Sequence, residues 1–275
     1  MKIEGKRVLA VGAHPDDVEI LCSGLLLLLK ELGCRITVAT MSLGDCGSTE
    51  RPGPEMRRVR RREAERSCVI LGADYHYVGF SDFGIFHDDA GNRRTAALLR
   101  DVNPWLVVTH PPEDYISDHE ITSTLVRNAT FVAPAPNYDT SSFSPSQSSS
   151  AIPYLYYAQP VENKDIFGRR VYPSFYVDVS DKLDLKEELL ACHKSQRDWL
   201  RSHHGMDEYL DCMRRWNAAL GASASENSGR SIAFAEGYRQ HLGHSYPQDN
   251  ILEPLLEDRI VSETKRGSSL SASHA

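Results

Sequence analysis

The sequence contains no C-x-x-C pair: its six cysteines, Cys22, Cys34, Cys46, Cys68, Cys192 and Cys212, are scattered along the chain. That pattern excludes a zinc knuckle, and it fits buried thiols in a reducing compartment better than a disulfide framework. Positive charge is not in excess either. Lys and Arg number 31 against 38 Asp and Glu, for a net charge of −7, which argues against a general binder of nucleic acid or of anionic membranes. The leucine run 25–29 is far too short to span a bilayer, and Lys30 ends it. No secretory signal opens the sequence and no internal repeat divides it, so the expectation is a soluble, cytoplasmic protein without a membrane partner. A nucleotide-binding reading predicts G-x-G-x-x-G after the first strand; the sequence gives "GAHPDD" there and sets that reading aside.

The chain has 275 residues, 41% of them hydrophobic, enough for one large core or two modest ones. Strand and helix signals alternate through the first half. "KRVLAVGA" (6–13), "CRITVATMS" (34–42), "YHYVGF" (75–80) and "PWLVVTH" (104–110) read as strands. Between and after them lie helical stretches: 18–33, mostly apolar; about 55–71, ended by Gly72; 92–102; and about 120–132. This order predicts an α/β fold, a Rossmann-like doubly wound and mainly parallel sheet with helices on both faces. Residues 134–153, rich in Pro and Ser, predict a long surface loop. Strands follow at 154–160 and 174–180, then a helical region from near Lys182 past Trp216 and a last helix around "IAFAEGYRQHL". Residues 1–262 are read as one domain, and 263–275, polar and small, as a disordered tail.

The informative places are the ends of the first and fourth strands. In "VGAHPDDVEI" (11–20), Gly12 and Pro15 mark a turn that carries His14, Asp16 and Asp17. Such a loop repels anions and suits a cation. The fourth strand leads to His110, Asp114, Asp118 and His119. In a doubly wound sheet the first and fourth strands can be neighbours at the topological switch point, so both loops open into one crevice. A single His or Asp at a strand end is ordinarily a turn or cap residue. Two histidines and a carboxylate with one coordination position left open, however, make a catalytic zinc set. A further carboxylate beside the metal can take a proton from water.

"AHPDD" after an N-terminal strand, with a later "DH" pair, resembles the PIG-L/LmbE-like deacetylases, zinc hydrolases that remove acetyl groups from N-acetylglucosamine-containing molecules. The resemblance extends through the R-x-x-E helix "RRREAERSCVILGAD", "HKSQ" (193–196) and "FAEGYR" (234–239), so that it covers about residues 6–240. It implies one zinc ion held by His14, Asp17 and His119, with Asp16 as general base. It also implies a small amino-sugar substrate; self-association is left open. Many relatives read H-x-D-H before the last ligand, with the first His stabilising the oxyanion and an Asp orienting it. Here the stretch is "YISDH", which puts Ile116 in that place and leaves Asp118 as an orienting residue without its usual partner. The stretch is also similar to a branch of the family reading D-Y-x-x-D-H-E. His110, His193, His203 and His204 are candidate substitutes for the missing donor, His110 also as a substrate contact. Arg60, at the R-x-x-E position, resembles a residue that holds substrate or the loops of the site, and Asp82 is placed to accept sugar hydroxyls. Ile116 also opens alternatives: a metal-binding relative with lost or altered catalysis, or an amidase acting on a related amino-sugar conjugate.

Overall fold

The computed structural model describes residues 3–145, 147–204 and 209–263. The chain begins with β1 (Arg7–Gly12), α1 (Asp17–Leu21), α2 (Ser23–Glu31) and β2 (Arg35–Thr40). Next come α3 (Gly53–Leu71), β3 (Asp74–Tyr77), α4 (Asp89–Val102), β4 (Leu106–Thr109) and α5 (Ser117–Val132). The second half holds β5 (Tyr154–Ala158), β6 (Phe175–Asp178), α6 (Leu183–Ala191), α7 (Lys194–His204) and α8 (Tyr209–Ser228). It closes with β7 (Ala235–Gln240), α9 (Leu252–Leu256) and β8 (Ile260–Ser262).

One sheet of eight strands results, in the order β3-β2-β1-β4-β5-β7-β6-β8. The first five strands pair in parallel, and β7, β6 and β8 add an antiparallel extension. β1 reads as an unbroken apolar run because both faces of the sheet are covered. Val8 and Ala10 enter one core with the leucines of α2, while Leu9 and Val11 enter the other with residues of α4 and α5. The chain runs from β1 to β2 on one side and reaches β4 on the other, so β1 and β4 meet at the switch point as expected. Among the described residues, no helix is long and apolar enough to cross a membrane. The described part of 134–153 contains neither helix nor strand.

Two expectations are corrected, and a third falls almost wholly outside the described residues. The stretch 18–33 forms two helices, broken at Cys22, because the first turn of α2 takes a carboxylate from far along the chain. Gly24 N and Leu25 N both donate to Glu236, at 2.8 Å each. A buried anion there meets free N–H groups and the positive end of the helix, and the fully buried Lys186, 2.6 Å away, neutralises it. The last helix expected around 232–242 is instead the strand β7. Its backbone is used on both sides, by β5 and β6, and a Cβ on Gly237 would come within 2.7 Å of Gln159. Of the expected disordered tail, Glu263 is tied down by donation of its N–H to Ser174 O at 2.9 Å, and 264–275 lie outside the described residues.

Candidate active site

The turn after β1 is held by close approach and by strain. A Cβ on Gly12 would lie 2.8 Å from Asp17 Cβ, so only glycine lets the helix start fold back on the strand. Asp16 stands at φ 103, a left-handed conformation that a non-glycine residue adopts at a cost and that clusters at functional sites. At the end of β4 the expected helix starts earlier than Glu120, at Ser117, so Asp118 and His119 sit in the first turn of α5 rather than on a free loop.

The two strand ends converge. Ligand atoms of His14, Asp17 and His119 all lie within 4.8 Å of one another. Asp17 Oδ2 accepts the backbone N–H of His14 at 2.7 Å and lies 3.0 Å from His110 Nε2. Its other oxygen, Oδ1, is 3.4 Å from His119 Nε2. That Nε2 is buried and has no hydrogen-bond partner among the described residues. Each imidazole of the trio has a carboxylate on its opposite nitrogen: Asp118 on His14 Nε2 at 3.0 Å, Asp114 on His119 Nδ1 at 2.8 Å. Two imidazoles and a carboxylate with an orphaned nitrogen turned inward form a donor set that could hold a divalent cation. A second potential ligand group, His110, Asp114 and His119, shares His119 but is fully buried.

The charges of these groups are strongly coupled. Burial alone would lower the His14 pKa, yet the bonds to Asp118 and Asp17 outweigh it and raise it to about 10. His119 behaves likewise: against burial, Asp17 and Asp114 raise it to about 9. Asp17 is held well below the usual carboxylate range, because His119 and His110 overcome its desolvation. Its neighbour goes the other way. Burial first, then the charge of Asp17, raises Asp16 to about 6.

A cavity of about 470 Å³ opens above the trio. Asp16, Arg60, Asp82 and Ile116 line it together with His14, Asp17 and His119, and its other walls include Phe83, Tyr115, Trp199 and Trp216. Two expected site residues stand outside it. His110, 1% exposed, lies behind Asp17 and stacks on His119 with ring centroids 3.9 Å apart. Asp118, also 1% exposed, takes the Phe83 N–H at 2.8 Å besides His14. His193 is buried against Glu19 at 3.0 Å, and the side chains of His203 and His204 lie outside the described residues. Among the described lining residues, His14 and His119 are therefore the only imidazoles.

Arg60 is buried under the loop that follows β2. It donates to Gly47 O at 3.1 Å and to the Gln196 side chain, and Cβ atoms on Gly44 or Gly47 would collide with its guanidinium. Three residues on, Glu63 accepts from the Ser195 N–H at 2.9 Å and from its hydroxyl at 2.6 Å. The R-x-x-E and "HKSQ" patches thus fasten to each other. Both oxygens of Asp82 are engaged by the protein, by Ser42 Oγ at 2.7 Å and Cys46 N at 2.9 Å. Sequence reasoning missed Tyr209, whose buried hydroxyl donates to Asp16. No motif marks it, and it arrives from α8, 193 residues away.

Residues 9–130 match the family described as "PIG-L: GlcNAc-PI de-N-acetylase". A 4-oxalmesaconate hydratase from Pseudomonas putida is 25% identical over 86% of this chain and 90% of its own length. A diacetylchitobiose deacetylase from Thermococcus kodakarensis is 26% identical over 70% of each. The solved structure of N,N'-diacetylchitobiose deacetylase from Pyrococcus horikoshii has the same fold, with a TM-score of 0.72 at 21% identity, over 90% of this chain and 88% of that one.

Proposed function

From the match of residues 9–130 to the PIG-L family we propose that the protein is a zinc-dependent N-deacetylase acting on a small N-acetylglucosamine-containing molecule. The observation that carries this reading is the orphaned Nε2 of His119, turned toward Asp17 and His14 at the floor of the cavity. His14, Asp17 and His119 would hold the ion, which when bound acidifies water and polarises a carbonyl oxygen. Asp16, on the cavity wall beside them, is the base that takes the proton of the attacking water and returns it to the departing amine. Tyr209 occupies one oxygen of that carboxylate, leaving the other for water. Asp118 and His110 act from behind, on His14 and Asp17, without touching substrate. Arg60 and Asp82 shape the wall by holding loops. The scattered cysteines form no disulfide among the described residues, which supports the cytoplasm as the compartment.

A second reading is favoured by Ile116 and by the lack of a third imidazole among the described lining residues. The hydratase relative spans 86% of this chain. Addition of water to an activated carbon–carbon double bond can use the same cation and base, and requires no donor dedicated to a tetrahedral acyl oxyanion. The test uses zinc-loaded protein on N-acetylglucosaminides of varied aglycone, with detection of free amine. A parallel arm follows the loss of double-bond absorbance of an unsaturated carboxylate. Amine release supports the first reading; absorbance loss without amine release replaces it with the second.

A further inference from the structure

We propose that Asp114 is a positioning residue that commits the His119 ring to offer Nε2 to the metal, and that it acts on the site only through that ring. The inference rests on the reading of His14, Asp17 and His119 as the metal site and adds a residue to it.

Asp114 is 2% exposed, and both of its oxygens are engaged. Oδ1 accepts the N–H of Tyr115 at 2.8 Å and that of Val161 at 3.3 Å. Oδ2 is 2.8 Å from His119 Nδ1 and 3.8 Å, beyond hydrogen-bond reach, from His110 Nδ1. An ionised carboxylate only accepts, so Nδ1 must carry a hydrogen, and the lone pair of the neutral ring is left on Nε2. Nε2 is the buried atom without a hydrogen-bond partner, 3.4 Å from Asp17 Oδ1. A lone pair and a carboxylate oxygen held that close repel each other unless a cation or a proton lies between them. Asp114 therefore sets the direction of the ring, and its second oxygen locks the carboxylate to two backbone amides so that it cannot turn away.

The arrangement makes asparagine an informative replacement. In Asp114→Asn the amide oxygen matches Oδ1, because only an oxygen can accept from the Tyr115 and Val161 N–H groups. The amide NH₂ then faces His119 Nδ1, which must accept. The ring hydrogen moves to Nε2 and the ligand lone pair is lost. Volume and backbone contacts are retained.

The experiment measures zinc affinity by competition with a chromophoric chelator for the wild type, Asp114→Asn, His119→Ala and the double variant. Asp114→Asn is expected to bind zinc about 10- to 100-fold more weakly than the wild type. In the His119→Ala background the same replacement should cost nothing further. Wild-type affinity in Asp114→Asn overturns the inference, and so do losses that multiply in the double variant, since they show a charge acting without the ring. Should the variants fail to fold, the ¹⁵N shifts of His119 in the zinc-loaded wild type decide. Hydrogen on Nδ1 and metal on Nε2 are expected, and the reverse overturns the proposal. A wild type that binds no zinc removes the metal site itself, a different outcome from a wild type that binds zinc and ignores Asp114.

Discussion

His14 Nε2 and Asp118 Oδ2 lie 3.0 Å apart. The carboxylate that in many relatives orients a histidine two residues earlier serves here a candidate metal ligand, and it also takes the Phe83 N–H at 2.8 Å. With Ile116 on the cavity wall, Asp118 has not been left without work.

That contact shapes the outcome of restoring the histidine. Ile116→His should raise the deacetylation rate, but by less than the ~10²–10³-fold that a well-placed oxyanion donor supplies, because Asp118 is already engaged. Steady-state kcat on an N-acetylglucosaminide checks this. A gain of the full size would show that Asp118 swings to the new ring.

The two neighbouring aspartates should separate cleanly. Asp16→Asn keeps the size and turn preference of the residue at φ 103 but cannot accept the proton. Turnover is expected to fall ~10²–10⁴-fold while zinc occupancy stays near that of the wild type. Asp17→Asn should lose zinc and be partly rescued by added metal. As the proposed base, Asp16 must be ionised to act, and it is raised to about 6 by burial and by Asp17. Activity should therefore decline as pH falls through a limb no higher than about 6, lower once a bound cation offsets the charge of Asp17. Metal counts taken alongside pH–rate profiles give the comparison. Loss of metal in Asp16→Asn would move the base elsewhere.

Metal binding should compete with protons. The His14 and His119 pKa values are raised to about 10 and about 9 in the metal-free site, so both rings are protonated at neutral pH and must release a proton to coordinate. Zinc affinity is expected to rise with pH between 7 and 9, up to about tenfold per unit for each proton released. Calorimetry in buffers of different ionisation enthalpy counts those protons. An affinity flat over that range would contradict the coupling.

The loop after β2 should depend on glycine. Gly44 has φ +68, and a Cβ there would collide with the Arg60 guanidinium. Gly44→Ala is expected to cost ~1–3 kcal/mol from backbone strain, read as a lower denaturation midpoint, and to raise KM by disturbing the cavity wall. Arg60→Ala should free the same loop and leave zinc affinity unchanged, since Arg60 touches none of the three candidate ligands.

The sequence by itself determined the features written in local patterns. The inner parallel strands β1, β2 and β4 read as largely apolar runs because both sheet faces are covered there, and "AHPDD" sits at a strand end because Gly12 and Pro15 make the turn there. In a doubly wound sheet β1 and β4 can take neighbouring slots, so the convergence of His14, Asp17 and His119 was legible in the sequence, while their role as metal ligands is the proposal. What only the tertiary structure decided lies in contacts between residues far apart in the chain. Tyr209 meets Asp16 across 193 residues. Asp118 finds His14 across 104 residues, and Glu236 splits the helix at 18–33 from 211 residues away. β7 shows the same principle acting on secondary structure: its apolar residues suit a helix, but β5 pairs with its second half and β6 with its first, so the backbone is taken up in the sheet. Local periodicity records which face of an element is buried. It does not record which buried carboxylate will meet which ring, because that depends on how distant elements pack.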